Sequence, residues 1–466
     1  MNWRLSAALA AGKIAHWLSR RQGHKGSSLP GLVAQKLYPG TLRDLAAQVR
    51  RQIIIVSGTN GKTTTSNMIF GILRDAGYKT IANLDGANLA AGVTACFVNK
   101  ARIDGKMDCD YAVLEVDEAT IPAVFAELNA GIVVITNFFQ DQLDRYGDLE
   151  QVVGIISNAL QKKGKGITLV LNADDPLVAQ LGSKTCVPAV YYGLAGSGGA
   201  DRSGVQAKEA RYCPFCRAVL NYEYLYYGQL GQYGCKTCGF SRPAARVEAK
   251  EPLVTGNMTS CRLIFDGREA PLTMQLQGLY NIYNAIAAFT ASLLLGIKAP
   301  LILDGLQKYR PALGRLERFR YHGRTVYLNL VKNPTAFNES LATLRSMQGS
   351  KSVFFAINDH DADGKDISWL WDVNFETLNA HSDWAPFICS GVRGEEMALR
   401  LKYAGLPVED IVVCKDIRQG IKNALANSAD LIFLFSTYTA LRPVHKIINS
   451  LADKEDFHAT GVPSIS

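Results

Sequence analysis

Lys62-Thr63-Thr64-Thr65 follows the glycine loop Gly58-Thr59-Asn60-Gly61. A β-branched run, Ile53-Ile54-Ile55-Val56, leads into the loop, and Met68, Ile69, Ile72 and Leu73 come after it at helical spacing. Strand, glycine loop and helix in that order let backbone N–H groups and a helix N-terminus cradle phosphates. Lys62 is then placed to meet the outer phosphates, and the Thr63 hydroxyl to reach Mg²⁺. The spacing is tighter than in a standard phosphate loop, because Val56 stands where its first glycine would be. The expectation is an ATP site built on Gly58, Thr59, Asn60, Gly61, Lys62, Thr63 and Thr64.

A second chemistry lies in Cys213-Pro-Phe-Cys216 and Cys235-Lys-Thr-Cys238, two pairs with eighteen residues between them. Paired thiolates at that separation make the tetrahedral Cys₄ site of a zinc ribbon, a closed structural site that staples an insertion of about residues 206–245. Tyr222, Tyr224, Tyr226 and Tyr227 between the pairs read as a hairpin. The other six cysteines, Cys96, Cys109, Cys186, Cys261, Cys389 and Cys414, are scattered and read as core residues.

These groups need elements to hold them. From residue 52 to about 180, apolar runs at Lys79–Ala82, Tyr111–Val116, Gly131–Thr136 and Ile167–Leu171 alternate with helical patterns, which implies a parallel sheet with helices on both faces. Gly193–Gly204, rich in Gly and Ser, marks the exit into the zinc insertion; residues 246–275 read as β-structure and Gly278–Leu295 as a helix. Pro311-Ala-Leu-Gly314-Arg315 reads as a hinge. Beyond it, strands at Thr325–Leu330, Ser352–Ile357, Pro386–Cys389, Ile411–Val413 and Asp430–Phe435 form a second α/β alternation of domain size. The expected organisation is an N-terminal helical segment (1–48) packed on a central ATP-binding domain (49–314), then a smaller Rossmann-like α/β domain (315–466).

A chain of 466 residues suits two or three domains. Its net charge of +8 fits anionic substrates or an anionic membrane surface; Lys and Arg are dispersed, which argues against nucleic acid. No apolar run reaches the roughly 20 residues needed to span a bilayer. Near the N-terminus, Trp3, Leu5, Ala8, Leu9, Ile14, Trp17 and Leu18 mix with Arg4, Lys13, Arg20 and Arg21. This basic amphipathic pattern fits a helix packed on its own domain or one lying on a membrane. Lys13 interrupts the apolar stretch, so a cleaved signal peptide is not expected. Cysteines used as ligands and thiols suit the cytoplasm, where the inner face of the plasma membrane is the surface such a segment would meet.

Gly58-Thr-Asn-Gly-Lys-Thr-Thr64 resembles the ATP loop of the Mur ligases and folylpolyglutamate synthases. The resemblance to Mur ligases continues through Glu115 at a strand end, Thr136-Asn137-Phe-Phe-Gln-Asp141-Gln142-Leu-Asp144-Arg145, Asn172-Ala-Asp174-Asp175-Pro176, Asn281 and Asn284, Gly314-Arg315-Leu-Glu317, and Asn333-Pro334. It implies that Glu115 joins Thr63 at Mg²⁺, that Arg315 touches phosphates, and that Asn281 and Asn284 lie near the nucleotide base. Gln142 stands where that family has a histidine, and an amide oxygen holds metal more weakly than imidazole.

The zinc ribbon together with Asp359-His-Asp-Ala-Asp363-Gly364-Lys-Asp366-Ile-Ser368-Trp369 resembles the MurT-type subunits of lipid II isoglutaminyl synthase. That resemblance implies ATP-dependent amidation of the α-carboxyl of D-glutamate in the peptidoglycan stem peptide. Lys62, Glu115 and Arg315 would serve the ATP chemistry, and a separate GatD-type glutaminase in a stable heterodimer would supply ammonia. It also implies that Asp366 reaches into the partner's site to orient a histidine; on spacing alone, the acidic loop reads equally as solvated or as a loose cation site. Cys389 and His360 share a domain, but no nucleophile elbow surrounds Cys389, so glutamine hydrolysis is expected elsewhere. Two other readings remain: an amino-acid-adding ligase of the same family, and a nucleotide-controlled zinc-ribbon binding protein.

Overall fold

The computed structural model describes residues 2–21, 26–83, 87–140, 149–163, 165–196, 209–255, 258–310, 314, 316–379 and 384–454. The chain divides into two compact units, Met1–Phe139 with Asp148–Arg310, and Pro311–Ser466 with Gln140–Gly147.

In the larger unit the strands are β1 (Gln52–Ser57), β2 (Thr80–Ala82), β3 (Tyr111–Glu115), β4 (Ile132–Ile135), β5 (Thr168–Asn172), β6 (Ala189–Leu194), β7 (Asn221–Tyr227), β8 (Leu230–Gly234), β9 (Val247–Thr255), β10 (Met258–Phe265) and β11 (Arg268–Met274). Nine of them form one sheet in the order β11-β10-β9-β6-β5-β4-β1-β3-β2. Strands β1 to β6 pair in parallel, β9 adds in parallel to β6, and β10 and β11 extend the edge as an antiparallel meander.

Helices cover both faces, which is why the strands are continuously apolar rather than alternating. Ile53 and Ile55 point into one core, shared with α1 (Trp3–Arg21), α2 (Leu29–Leu37), α3 (Thr41–Ala46) and, after α4 (Lys62–Asp75), α5 (Ala90–Lys100). Ile54 and Val56 point into the other, shared with α4 and the helix Leu279–Leu294. Each such fully buried side chain contributes roughly 1.5–3 kcal/mol. The two-sided burial holds the C-terminal end of β1, and the loop that leaves it, in place.

The smaller unit repeats the design. Its strands β12 (Glu317–Tyr321), β13 (Arg324–Leu330), β14 (Lys351–Ala356), β15 (Trp384–Ser390), β16 (Ile411–Val413), β17 (Leu431–Ser436) and β18 (Asp453–Lys454) are ordered β16-β15-β14-β17-β13-β12-β18. The five from β16 to β13 in that order are parallel, with β16 at one edge; β12 and β18 close the other edge antiparallel. Helices Pro334–Ser346 and Gly394–Tyr403 pack on one face, Ile417–Ala426 and Tyr438–Leu451 on the other. Asn333 caps the first of these, its Oδ1 accepting from Ala336 N–H at 2.9 Å, with Pro334 in the first turn.

Candidate nucleotide site and zinc centre

The glycine loop leaves β1 and enters α4, and neighbouring strand ends clamp it. Thr136 and Asn137 follow β4, the next strand in the sheet. Asn137 Oδ1 accepts from Asn60 N–H at 2.8 Å, Thr136 Oγ1 donates to Asn60 O at 2.7 Å, and Thr59 Oγ1 accepts from Phe139 N–H at 3.0 Å. Gly58 and Gly61 have φ of +115° and +85°. A Cβ at Gly58 would run into Thr136 Oγ1, and one at Gly61 into Asn284 Oδ1, so both positions need glycine twice over. Asn284 reaches the loop from the helix Leu279–Leu294; its Nδ2 donates to Asn281 Oδ1 at 3.2 Å, and Asn281 Nδ2 to Gln277 O at 2.7 Å. Asn284 therefore touches the loop, while Asn281 sits behind it.

Lys62, Thr63 and Thr64 form the first turn of α4. The buried Lys62 ammonium donates to Gly58 O at 2.5 Å and Thr59 O at 3.3 Å, and pairs with Glu118 Oε2 at 3.2 Å. Glu118 was not legible as a partner in the sequence; it sits just past β3, whose register sets Glu115 beside Val56. Glu115 is buried. Asn83 holds its backbone through two hydrogen bonds of 2.8 Å, and Asn88 Nδ2 donates to its Oε1 at 3.2 Å. Its Oε2 is buried with no hydrogen-bond partner. An orphaned buried carboxylate oxygen beside a phosphate loop is the donor a hard cation such as Mg²⁺ takes, so the residues present fit that ion.

The four cysteines bracket the β7–β8 hairpin. Their Sγ atoms all lie within 4.8 Å of one another. Cys213 to Cys238 and Cys216 to Cys235 are both 3.5 Å apart, far beyond the S–S bond of about 2.05 Å. Four sulfurs on a zinc ion at about 2.3 Å would be roughly 3.8 Å apart, so the cluster fits zinc. Each pair is a tight knuckle, with Cys213 N–H donating to Ala218 O and Cys235 N–H to Phe240 O.

The turn Asn172–Pro176 anchors this insertion. Asp174 is buried; it pairs with Arg242 Nε at 2.5 Å and accepts from Tyr283 OH and Leu194 N–H at 2.7 Å. Asp175 caps the helix Pro176–Thr185 and also accepts from Phe138 N–H at 2.9 Å and Gln229 Nε2 at 3.2 Å. One turn thus ties the sheet, the loop-clamping strand end and the zinc hairpin together.

Among the remaining cysteines, Cys109, Cys261 and Cys389 are buried as expected, but Cys186 is exposed. It ends the helix Pro176–Thr185 in the left-handed conformation (φ 55°), where the chain turns outward. Cys96 and Cys414 are half-buried. Burial pushes the Cys389 thiol up, away from nucleophilic use.

In the smaller unit each aspartate of the acidic loop has its own task. Asp359 pairs with Arg393 at 2.7 Å, Asp361 with Lys365 at 3.1 Å, and Asp363 Oδ1 accepts from Thr439 N–H at 2.8 Å. Asp366 is exposed and accepts from Ser368 N–H at 2.8 Å and Ser368 Oγ at 2.9 Å. The carboxylates do not converge: among the described residues the four cysteines are the group whose ligand atoms gather, so the loose cation site has no support. Glu317 folds back onto Gly314 N–H. Arg315, the hinge residues 311–313, and Asp141, Gln142, Asp144 and Arg145 lie outside the described residues.

A parallel sheet carrying a glycine loop, a lysine on the first helical turn and a strand-end carboxylate defines a nucleotide-binding α/β protein of the phosphate-loop kind. Residues 56–219 match the Mur ligase middle domain, and residues 330–441 the MurT ligase C-terminal region. The chain is 37% identical over 444 residues to the lipid II isoglutaminyl synthase (glutamine-hydrolyzing) subunit MurT of Staphylococcus aureus strain N315, covering 95% of this chain and 97% of that one. It is 33% identical over 451 residues to the same-named subunit of Streptococcus pneumoniae strain R6, covering 97% and 98%. In fold it is similar to a pseudomurein peptide ligase type C from Methanothermus fervidus (TM-score 0.65, 23% identity, 87% of this chain and 80% of that one). It is also similar to MurF from Acinetobacter baumannii (TM-score 0.64, 17% identity, 90% and 80%). The chain belongs to the MurT subunits of the Mur ligase family, a family of ATP-dependent ligases.

Proposed function

We propose that this protein converts the α-carboxyl of D-glutamate in the stem peptide of lipid II to the amide, D-isoglutamine. Near full-length similarity to subunits named for that synthase carries the reading, and the clamped phosphate loop supports it. A carboxylate is a poor acyl donor. Its oxygen therefore attacks the γ-phosphorus of ATP, ADP leaves, and an acyl phosphate forms. Ammonia adds to the acyl carbon, and the tetrahedral oxyanion collapses with loss of phosphate.

The Gly58–Thr64 backbone and the α4 N-terminus receive the phosphates. Lys62 exchanges Glu118 and its loop carbonyls for phosphate oxygens and neutralises the charge that develops as ADP leaves. Thr63 and Glu115 would hold Mg²⁺, which draws charge from the phosphates when bound. Arg315 is assigned to the phosphates and Asn281 and Asn284 to the base side of the site. Zinc on Cys213, Cys216, Cys235 and Cys238 is structural.

Ammonia comes from a separate GatD-type glutaminase subunit. Burial of Cys389 supports this division, since the buried thiol does not offer the Cys–His nucleophile that glutamine hydrolysis needs. Asp366, exposed in its loop, is assigned to orient the partner's histidine as the third member of a triad does. The test is co-purification with the glutaminase, then amidation of lipid II with glutamine or free ammonia. Asp366→Asn should cut glutamine-driven amidation and leave ammonia-driven amidation near wild type. Equal loss with both nitrogen sources would overturn the triad role, and glutamine hydrolysis by this chain alone would overturn the division of labour.

A further inference from the structure

Helix α1 is apolar on two opposite faces. Leu5, Ala8 and Leu9 are buried in the core of the larger unit, where α1 packs on α2 and α5. On the other side Trp3, Ile14, Trp17 and Leu18 are 72%, 59%, 51% and 47% exposed. At about 100° per residue these four share one outward stripe, with Ala7 and Ala10 between them. Beside it, α2 leaves Leu29 and Leu32 exposed.

The charges that this helix carries are of one sign. Helix α1 contains Arg4, Lys13, Arg20 and Arg21 and no Asp or Glu. Helical spacing sets Arg4 on one flank of the stripe and Lys13 with Arg20 on the other. Arg21 lies over the Trp17 ring at 4.1 Å from its centroid, and Arg4 over Trp3 at 5.6 Å. An apolar face normally turns inward; here one about 23 Å long is left to solvent, lined by tryptophan and edged by cations. That chemistry matches an anionic bilayer surface, where indole rings sit at headgroup depth and cations meet lipid phosphates. Self-pairing through the same face would set cations against cations. The helix is not long and apolar enough to cross a membrane.

We propose that α1 lies in the plane of an anionic membrane, its Trp3–Ile14–Trp17–Leu18 face in the headgroup layer, and so holds the larger unit at the lipid surface. The proposal does not rest on the amidation reading, and its test needs neither ATP nor stem peptide. The full chain is floated with vesicles of phosphatidylcholine alone or mixed with phosphatidylglycerol, at low and high salt, and tryptophan quenching by brominated lipid is recorded. The expected result is binding to the anionic vesicles, weakened by salt, with quenching on brominated lipid. Trp3→Ala with Trp17→Ala, and separately Arg4→Glu with Arg20→Glu, should each weaken it roughly tenfold or more. All four side chains are exposed, so circular dichroism melts should match wild type; should the tryptophan variant misfold, the arginine variant carries the test alone. Absence of vesicle binding, binding indifferent to lipid charge and to these variants, or concentration-dependent self-association that Trp17→Ala abolishes would each overturn it.

Discussion

The Lys62 ammonium is shared between two carbonyls of its own loop and the Glu118 carboxylate. It is buried, so arriving phosphate oxygens replace existing partners rather than water. Truncation breaks the Lys62–Glu118 ion pair and removes the charge proposed to meet the transferring phosphoryl group. We expect Lys62→Ala to lower the ATP-dependent rate by about 10²–10³-fold or more, read as ADP release in the presence of acceptor and ammonia. Gly61 is constrained by its φ of +85° and by Asn284 pressed against it. Gly61→Ala should cost about 1–2 kcal/mol in backbone strain alone and should weaken ATP binding by displacing Asn284; calorimetric titration with a non-hydrolysable ATP analogue checks it. The loop's glycines and lysine were legible because they are neighbours in sequence. Glu118 and the loop-contacting Asn137 were not legible as partners, because strand order, not spacing, brings them there.

At the scale of elements, the four-cysteine insertion is a two-stranded hairpin that could not stand alone in water. Its cysteines and its buried attachment have to hold it. Cys235→Ser should abolish stoichiometric zinc in atomic spectroscopy and open residues 209–245 to limited proteolysis, with chelation of wild type giving the same cleavage. The attachment is the Asp174–Arg242 pair, in which Asp174 is fully buried and also bonded to Tyr283. Arg242→Met should leave that carboxylate without its cation and cost roughly 3–5 kcal/mol in denaturant unfolding of the larger unit. The two Cys-x-x-Cys pairs were visible from spacing. In the sequence, Asp174-Asp175-Pro176 showed only a turn; that the turn is the anchor follows from Arg242 and Gln229 folding back onto it. Likewise, residues 246–275 read as β-structure, but their place as the parallel and then antiparallel extension of the sheet at β6 did not.

For the whole molecule, each unit has its own two-sided core, so heat or denaturant should resolve two transitions. ATP with Mg²⁺ should stabilise the larger unit, by about 2.7 kcal/mol at a hundred times the dissociation constant. Scanning calorimetry of wild type and Lys62→Ala checks this: the ligand-dependent shift should vanish in the variant.

By itself the sequence determined what local spacing encodes: β-branched runs buried on both faces, the glycine loop and its lysine, and the paired thiols. These depend on residues within one or two turns or strands of each other, and their periodicity states which faces are apolar. Tertiary structure alone decided which distant groups meet. Asn284 reaches Thr65 across 219 positions and Tyr283 reaches Asp174 across 109, because strand order places their elements side by side. It also decided that α1 keeps an apolar face turned outward, which periodicity cannot assign when both sides of a helix are apolar.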